Sequence, residues 1–406
     1  MSQSPDVAQG PQGPLIGLKV VEFAQVIAGP LAGGLLADMG ADVVHVEPPG
    51  LGDAARRIGP RKDGTYVWWK VSGRNKRSVC CDLRHERGQA LAARLVEWAD
   101  VVIVTFRAST LRDWGLDWES IHARNPRAVV LQISGYGANT SRADDPGFGK
   151  MGEARSGVVH LTGMTGGPPV HTAFSHGDAT TGLMGSWAVL AALWRRERDP
   201  DFGGEWIDLA LYESLYRLIE WQVIVYDQLE HVVSRQGNRM EFSPGAVQNT
   251  YETAEGVWLT VTSATAKSVQ KIAVLLGLPG DEFETQEQQA ARRDELDEKV
   301  AAWVRARPTD AAIAAFEQAG IVVSTIMSAA DIVSDPIYAE RADIIEIEDH
   351  DLGRVKMQAA LPHLRQRPGA VWRTGPMLGE DNDLVYGDWL GLSESELDDL
   401  RRERVI

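Results

Sequence analysis

Cysteine is almost missing from this chain of 406 residues; there are two, Cys80 and Cys81, side by side. Adjacent residues of a strand point to opposite faces, so the pair makes a poor structural disulfide, and a reducing, cytoplasmic setting is expected. Long apolar runs are missing too. The longest, near Leu183 to Trp194, is shorter than the roughly 18 residues that suggest a membrane span. The opening MSQSPDVAQGPQG has neither the basic start nor the apolar middle of a signal peptide, and residues 1–14 read as a disordered tail. Positive charge is in short supply: 41 Lys and Arg stand against 57 Asp and Glu, a formal net charge of −16. That balance argues against nucleic acid or an anionic membrane surface as a partner. No G-x-S-x-G and no Walker loop occurs, and HERGQ at His85 has Gln89 where a zinc protease needs its second His, so no metal is expected.

What is present is an ordinary globular composition, 44% hydrophobic, long enough for two or three domains. From Leu18 the chain reads LKVVEF, AQVIAGP, LAGGLLADMG, ADVVHVE: strand, turn, helix, strand. The rhythm continues through RSVCCDL, QALAARLVEWA, DVVIVTF, the LRDWG region and AVVLQIS. Alternating strands and helices predict an α/β fold with a doubly wound, Rossmann-like parallel sheet. After Ser134 a Gly-rich and Pro-rich stretch leads to Asp178, and such irregular segments are often functional. Two apolar stretches, TTGLMGSWAVLAALWRRE and LALYESLYRLIEWQVIVYDQL, read as helices largely buried in the core. A smaller α+β domain is expected over 231–322, between a large domain begun by 15–230 and completed by 323–406. A charged terminal helix, SESELDDLRRER, closes the chain.

Few residues carry a chemical signal. The first βα turn holds Gly29, Gly33 and Gly34, and Glu47 ends the second strand, but G-x-G-x-x-G is absent, so a nicotinamide site is poorly supported. Backbone amides at that helix start still suit an anionic group. The run Arg74, Asn75, Lys76, Arg77 in an acidic chain can neutralise phosphates or be a solvated turn, and the same alternative covers Arg107 and Arg112. Asp178, in HGDATTG, is either an N-cap or a carboxylate nucleophile toward an activated acyl group. Gly177 and Gly182 on either side of it leave room for a substrate to approach.

Read in order, GLKVVEFAQVIAGPLAGGLLADMGADVVHVEPPGLGD, NKRSV, NPRAVVLQISGYG, HGDATTG, GGEWIDLALYES, SDPIYAER and GPMLGEDN resemble the family III CoA-transferases. This is the CaiB/BaiF type, which includes formyl-CoA and carnitine CoA-transferases. The resemblance implies that Asp178 attacks an acyl-CoA and carries CoA to a small carboxylic acid through aspartyl anhydride and aspartyl-CoA intermediates. It implies no resident cofactor, coenzyme A being substrate, and an interlocked homodimer. The implied CoA contacts are Gln25, Val26, Ala28, Asn75, Lys76, Phe106, Arg112 and Tyr136. Two features depart from the pattern: Thr105 stands where the family often has Asn, and the small-domain glycine loop of the formyl-CoA enzymes reads TVTSATAK here, which points away from formyl or oxalate substrates. Succinyl-CoA is a possible donor, with specificity expected in loops such as Gly163 to Ser175. The α-methylacyl-CoA racemase branch of this fold pairs its Asp with a His in a GHDINY-like motif. Here the segment is GFGKMGE, and Phe148 stands where that base would sit. An acyl-CoA isomerase and a non-catalytic CoA-binding homologue remain the alternatives.

Overall fold

The computed structural model describes residues 10–242, 247–263 and 265–406. The tail expected over 1–14 lies outside the described residues as far as residue 9. From there the chain is packed, with Gly13 and Gln12 against the backbone of Met39 and Gly40. The molecule divides into two units, one of residues 1–158, 172–220 and 337–406, the other of 159–171 and 221–336.

The first unit is built on six parallel strands: β1 (Lys19–Phe23), β2 (Asp42–Glu47), β3 (Lys76–Cys80), β4 (Val101–Val104), β5 (Val129–Ser134) and β6 (Glu205–Ala210). Their order is β3-β2-β1-β4-β5-β6. Both faces are covered, which is why the strands are near-continuous valine and isoleucine runs without alternation. On one face, α2 (Glu86–Trp98) and the C-terminal residues Val385, Leu397 and Leu400 enclose Val21, Val44 and Val102. On the other, α1 (Ala28–Asp38) and α4 (His176–Arg196) cover Val20, Val43, Ile103 and Leu131. The edge of β3 is capped by side chains: Asp381 accepts from the Ser78 N–H and Asn382 from the Cys80 N–H, which closes an edge that would otherwise invite further pairing. Both cysteines are free and buried.

Two expectations about helices need correction. The α4 sequence was expected to be core, but it buries its small residues, Gly177, Thr181, Gly182, Gly185, Ser186, Val189 and Ala192. Its large residues Leu183, Trp187, Leu190 and Trp194 face outward, 41 to 67% exposed. An added Cβ on Gly182 would stand 2.7 Å from the Ala28 carbonyl oxygen, so the small face is what lets α1 approach so closely. The second apolar stretch is not one helix either. It begins in β6 and continues as two short helices, Glu213–Leu218 and Gln222–Leu229, and the latter buries no residue.

The second unit carries a three-stranded antiparallel sheet, with Trp258–Thr262 between Gln248–Glu252 and Val322–Thr325. Helices over 266–275, 293–305 and 309–318 pack on it around Phe283, Val300 and Phe316. Its bounds differ from the expected 231–322: the strand at 322–325 pairs within this sheet, so the chain re-enters the first unit only at Ile337. In the TVTSATAK loop, Ala264 lies outside the described residues. No helix of the described residues is long and apolar enough to cross a membrane.

Candidate active site

The sheet order places a topological switch point between β1 and β4, where ligands of open α/β sheets bind beyond the carboxyl ends of the strands. A cavity of about 770 Å³ opens there, lined by Gln25, Glu47, Leu51, Phe106, Trp114 and the arginines Arg84, Arg401 and Arg404. The Gln25 N–H donates to Thr105 Oγ1 at 3.3 Å, joining the loops that follow β1 and β4. Phe106 meets Trp114 edge to face at 4.8 Å. Arg401 pairs with Asp383 and Asp398, whereas Arg84 and Arg404 form no ion pair among the described residues.

Beneath this mouth lies a buried charge network. Glu22, 0% exposed, accepts from His45 Nδ1 at 2.6 Å and from Lys76 Nζ at 2.5 Å. His45 Nε2 lies 3.2 Å from Asp53. Asp53 in turn accepts the Val26 N–H at 3.0 Å and the Ala55 N–H at 2.8 Å. Burial alone would push the His45 imidazole down, but Glu22 and Asp53 overcome it and hold its pKa up at about 9. Burial likewise opposes the charge on Asp53, but His45 and the Ala55 and Val26 amides together outweigh it and hold that carboxyl below its usual range. The network pins Val26 at φ 67°, a left-handed conformation that a β-branched residue avoids unless its surroundings enforce it. α1 then starts with no side-chain cap and no acidic residue in its first turn, leaving its amides for an anionic group.

The structure separates the expected contact residues. Gln25 and Phe106 line the cavity at the switch point, and Val26 and Ala28 form the turn beside it. Lys76 does not face a ligand: its ammonium, 1% exposed, is bound to Glu22 and to the Pro30 carbonyl. Asn75 is buried as well, donating to Asp38 and Ala370 and accepting from the Trp372 N–H. Both side chains are engaged by partners inside the protein. Arg112 is surface-exposed and 3.7 Å from Asp144. Tyr136 is buried, with the Arg142 guanidinium 3.7 Å above its ring and Arg155 at 5.5 Å.

Asp178 lies on α4, the helix that packs against α1. It is not the N-cap of α4; Ser175 is, and Asp178 is the third residue of the helix. Gly182, one turn later and about 6 Å along the axis, packs against Ala28 in the first turn of α1. Its carboxylate accepts no hydrogen bond among the described residues. It rests against α3 (Gly149–Ser156), so closely that a Cβ on Gly149 would stand 2.1 Å from Oδ2. Burial first, and then the Glu153 carboxylate, push the Asp178 pKa up to about 6, against the pull of Lys150. Gly177 and Gly182 make room for the Gly149 and Ala28 carbonyls, not for a substrate; the glycine that clears space at the carboxylate is Gly149.

Gly149, Lys150 and Glu153 escaped sequence reading because GFGKMGE was weighed only for the histidine it lacks. Phe148, in that segment, is 76% exposed. The arginines of the cavity escaped too, Arg401 lying in the terminal helix and Arg404 just after it, in a segment that reads as a solvated face.

A profile of CoA-transferase family III matches residues 15–382. The chain is 37% identical over 404 residues to a succinyl-CoA–D-citramalate CoA-transferase of Chloroflexus aurantiacus, covering 98% of this chain and 100% of that one. It is 33% identical over 401 residues to the beta subunit of that organism's succinyl-CoA–L-malate CoA-transferase, covering 97% and 98%. A crystal structure of a CaiB/BaiF family protein from Brucella suis superposes with a TM-score of 0.81 at 29% identity, over 93% of this chain and 99% of the other.

Proposed function

The chain belongs to CoA-transferase family III and is a CoA-transferase, and from that premise we propose that Asp178 is its covalent nucleophile, with succinyl-CoA as donor and a small dicarboxylic acid as acceptor. The observation that carries the nucleophile is the Asp178 carboxylate itself: half-buried, free of hydrogen bonds among the described residues, and raised to about 6 by burial and then Glu153. Such a group is ionised at neutral pH yet poorly stabilised, which suits a nucleophile. The substrates are suggested by the names of the relatives, which act with succinyl-CoA on citramalate and malate.

The steps balance without an outside reactant. An Asp178 oxygen attacks the thioester carbonyl carbon, the C–S bond breaks, and CoA leaves as thiolate from a mixed anhydride. The thiolate attacks the aspartyl carbonyl carbon of that anhydride, the donor acid leaves as carboxylate, and an aspartyl-CoA thioester remains. The acceptor carboxylate attacks this thioester and expels the thiolate, giving a second anhydride. The thiolate then attacks the acceptor's acyl carbon and returns the Asp178 carboxylate. Each intermediate keeps an activated acyl bond, so no nucleotide is hydrolysed.

The crevice at the switch point is the proposed CoA site. Arg84 and Arg404 supply charge for its phosphates, the α1 amides a further anion contact, and Phe106 with Trp114 an apolar wall. The outward stripe Leu183, Trp187, Leu190 and Trp194 supports a homodimer, since apolar surface of this extent usually meets a partner. Interlocking of the two subunits is part of the same proposal and rests on the family resemblance.

The decisive experiment incubates the protein with succinyl-CoA, traps with hydroxylamine or borohydride, and maps any new mass. An adduct on Asp178 supports covalent carboxylate catalysis. Deuterium entering the α-carbon of an acyl-CoA, with no adduct, would replace this reading with an isomerase.

A further inference from the structure

We propose that Glu153, clamped between Lys150 and the Gly177 amide, is a positioning residue that orients Asp178 and favours its acylated state over its ionised one. This rests on Asp178 being the nucleophile. Glu153 is 1% exposed and lies on α3. Its Oε1 accepts the N–H of Gly177, the residue before Asp178, at 3.1 Å. Its Cγ would lie 3.1 Å from a Cβ on Gly177, so its carbon chain also touches the peptide that leads into Asp178.

Lys150 completes the clamp. Its ammonium reaches both Glu153 oxygens at 3.1 and 2.9 Å, and the carbonyls of Thr172 and Phe174 at 2.8 and 3.1 Å. One buried anion and one cation therefore tie α3 to the segment entering α4 and to its first turn. At the carboxylate itself, α3 presents a bare glycine and a like charge, and no donor. A helix clamp alone would need only the acceptor atom of Glu153. Placing a second carboxylate near the first, its charge only partly offset by Lys150, does something more.

While Asp178 is ionised, it and Glu153 repel each other in a partly desolvated pocket. Formation of the anhydride or the thioester makes the aspartyl group neutral, and the repulsion ends with the bond. The covalent enzyme is thus stabilised relative to the resting one, without any new contact to substrate.

Other ionisable groups near this turn do not share the task. His176 precedes Asp178 on α4 and meets Phe174 at 5.3 Å. Arg155 on α3 lies over Tyr136 and Tyr212. In the 213–218 helix, Glu213 accepts the Ala210 N–H and Arg217 pairs with Glu220. The first turn of α1 carries no acidic residue.

The test compares wild type, Glu153→Gln, Glu153→Ala and Lys150→Met, full length, with succinyl-CoA. It records kcat/KM from pH 5 to 9, which reports groups of the free enzyme, and the fraction of Asp178 trapped as CoA ester in a single turnover. Glu153→Gln keeps an acceptor for Gly177 but loses the charge. Its acid limb should move down by roughly half to one pH unit, and its trapped fraction should fall severalfold. Lys150→Met should move the limb upward. Glu153→Ala should lose kcat beyond the loss in Glu153→Gln, because the orienting bond is gone as well. If wild type forms no adduct on Asp178, the nucleophile reading fails and takes this proposal with it. If wild type forms the adduct but Glu153→Gln leaves both limb and trapped fraction unmoved, the proposal alone is overturned; Lys150→Met gives an independent check should either Glu153 variant fold poorly.

Discussion

Two aspartates of the first unit, Asp53 and Asp178, are treated in opposite ways. Asp53 is buried and partnered by His45 and by the amides of Val26 and Ala55, and these together outweigh burial and hold its carboxyl below the ordinary range. Asp178 is less buried yet accepts no hydrogen bond among the described residues, and burial with Glu153 pushes it up to about 6. One carboxylate is held by donors and holds backbone; the other, half-buried, is held by no donor among the described residues. A carboxylate that no protein donor holds keeps its lone pairs for a reacting carbon, which is what a nucleophile needs.

The contrast is broken most severely at Asp178. Asp178→Asn should abolish turnover, by about a thousandfold or more, while making the protein more stable at pH 8. The sign follows from the raised pKa: a carboxyl near 6 in the fold, against an ordinary 3.8 in the unfolded chain, destabilises the fold as pH rises between those values. The penalty is complete above about pH 6 and absent below about pH 4. Since Asp178 is partly solvated, the gain should be only about 1 kcal/mol. Thermal melts at pH 8 and pH 4 would show it at the first pH alone; equal melts at both would mean that the carboxylate is not strained. Next in size, Gly149→Ala should cut kcat about a hundredfold, because its Cβ would displace the carboxylate it stands 2.1 Å from. A normal kcat in a well-folded Gly149→Ala protein would show that the reacting position of Asp178 lies elsewhere.

The same contrast explains what was readable beforehand. Valine-rich strands such as VVIV announce themselves because a parallel sheet covered on both faces demands them, and strand order then fixes the switch point. The HGDATTG segment was legible as a place where a carboxylate meets a helix start. Which face of α4 is buried was not, because both are apolar in composition, and only the close approach of α1 selects the glycine and threonine side over the tryptophans. The partner of Asp178 was equally hidden: Glu153 meets Gly177 across 24 residues of sequence. Lys76 misled for the reverse reason. A lysine at the start of a strand looks like a phosphate ligand until the burial of Glu22 claims it.

Lys76 and Arg84 provide the smallest and sharpest separation, since sequence favoured the first as a CoA contact and the cavity favours the second. Lys76→Met leaves Glu22 with His45 alone in a fully buried site, so it should cost about 3 kcal/mol of stability. Its effect on the KM for succinyl-CoA, measured well below the new melting temperature, should be small. Arg84→Gln removes an exposed cation with no ion-pair partner among the described residues, so its melting temperature should stay unchanged. Its KM should rise about tenfold, as expected for one charge-assisted phosphate contact, and the rise should shrink with added salt, which screens that exposed charge. Should the two variants exchange these phenotypes, the network beneath the first βα turn would have to open when CoA binds, and Lys76 would be a ligand drawn out of the core.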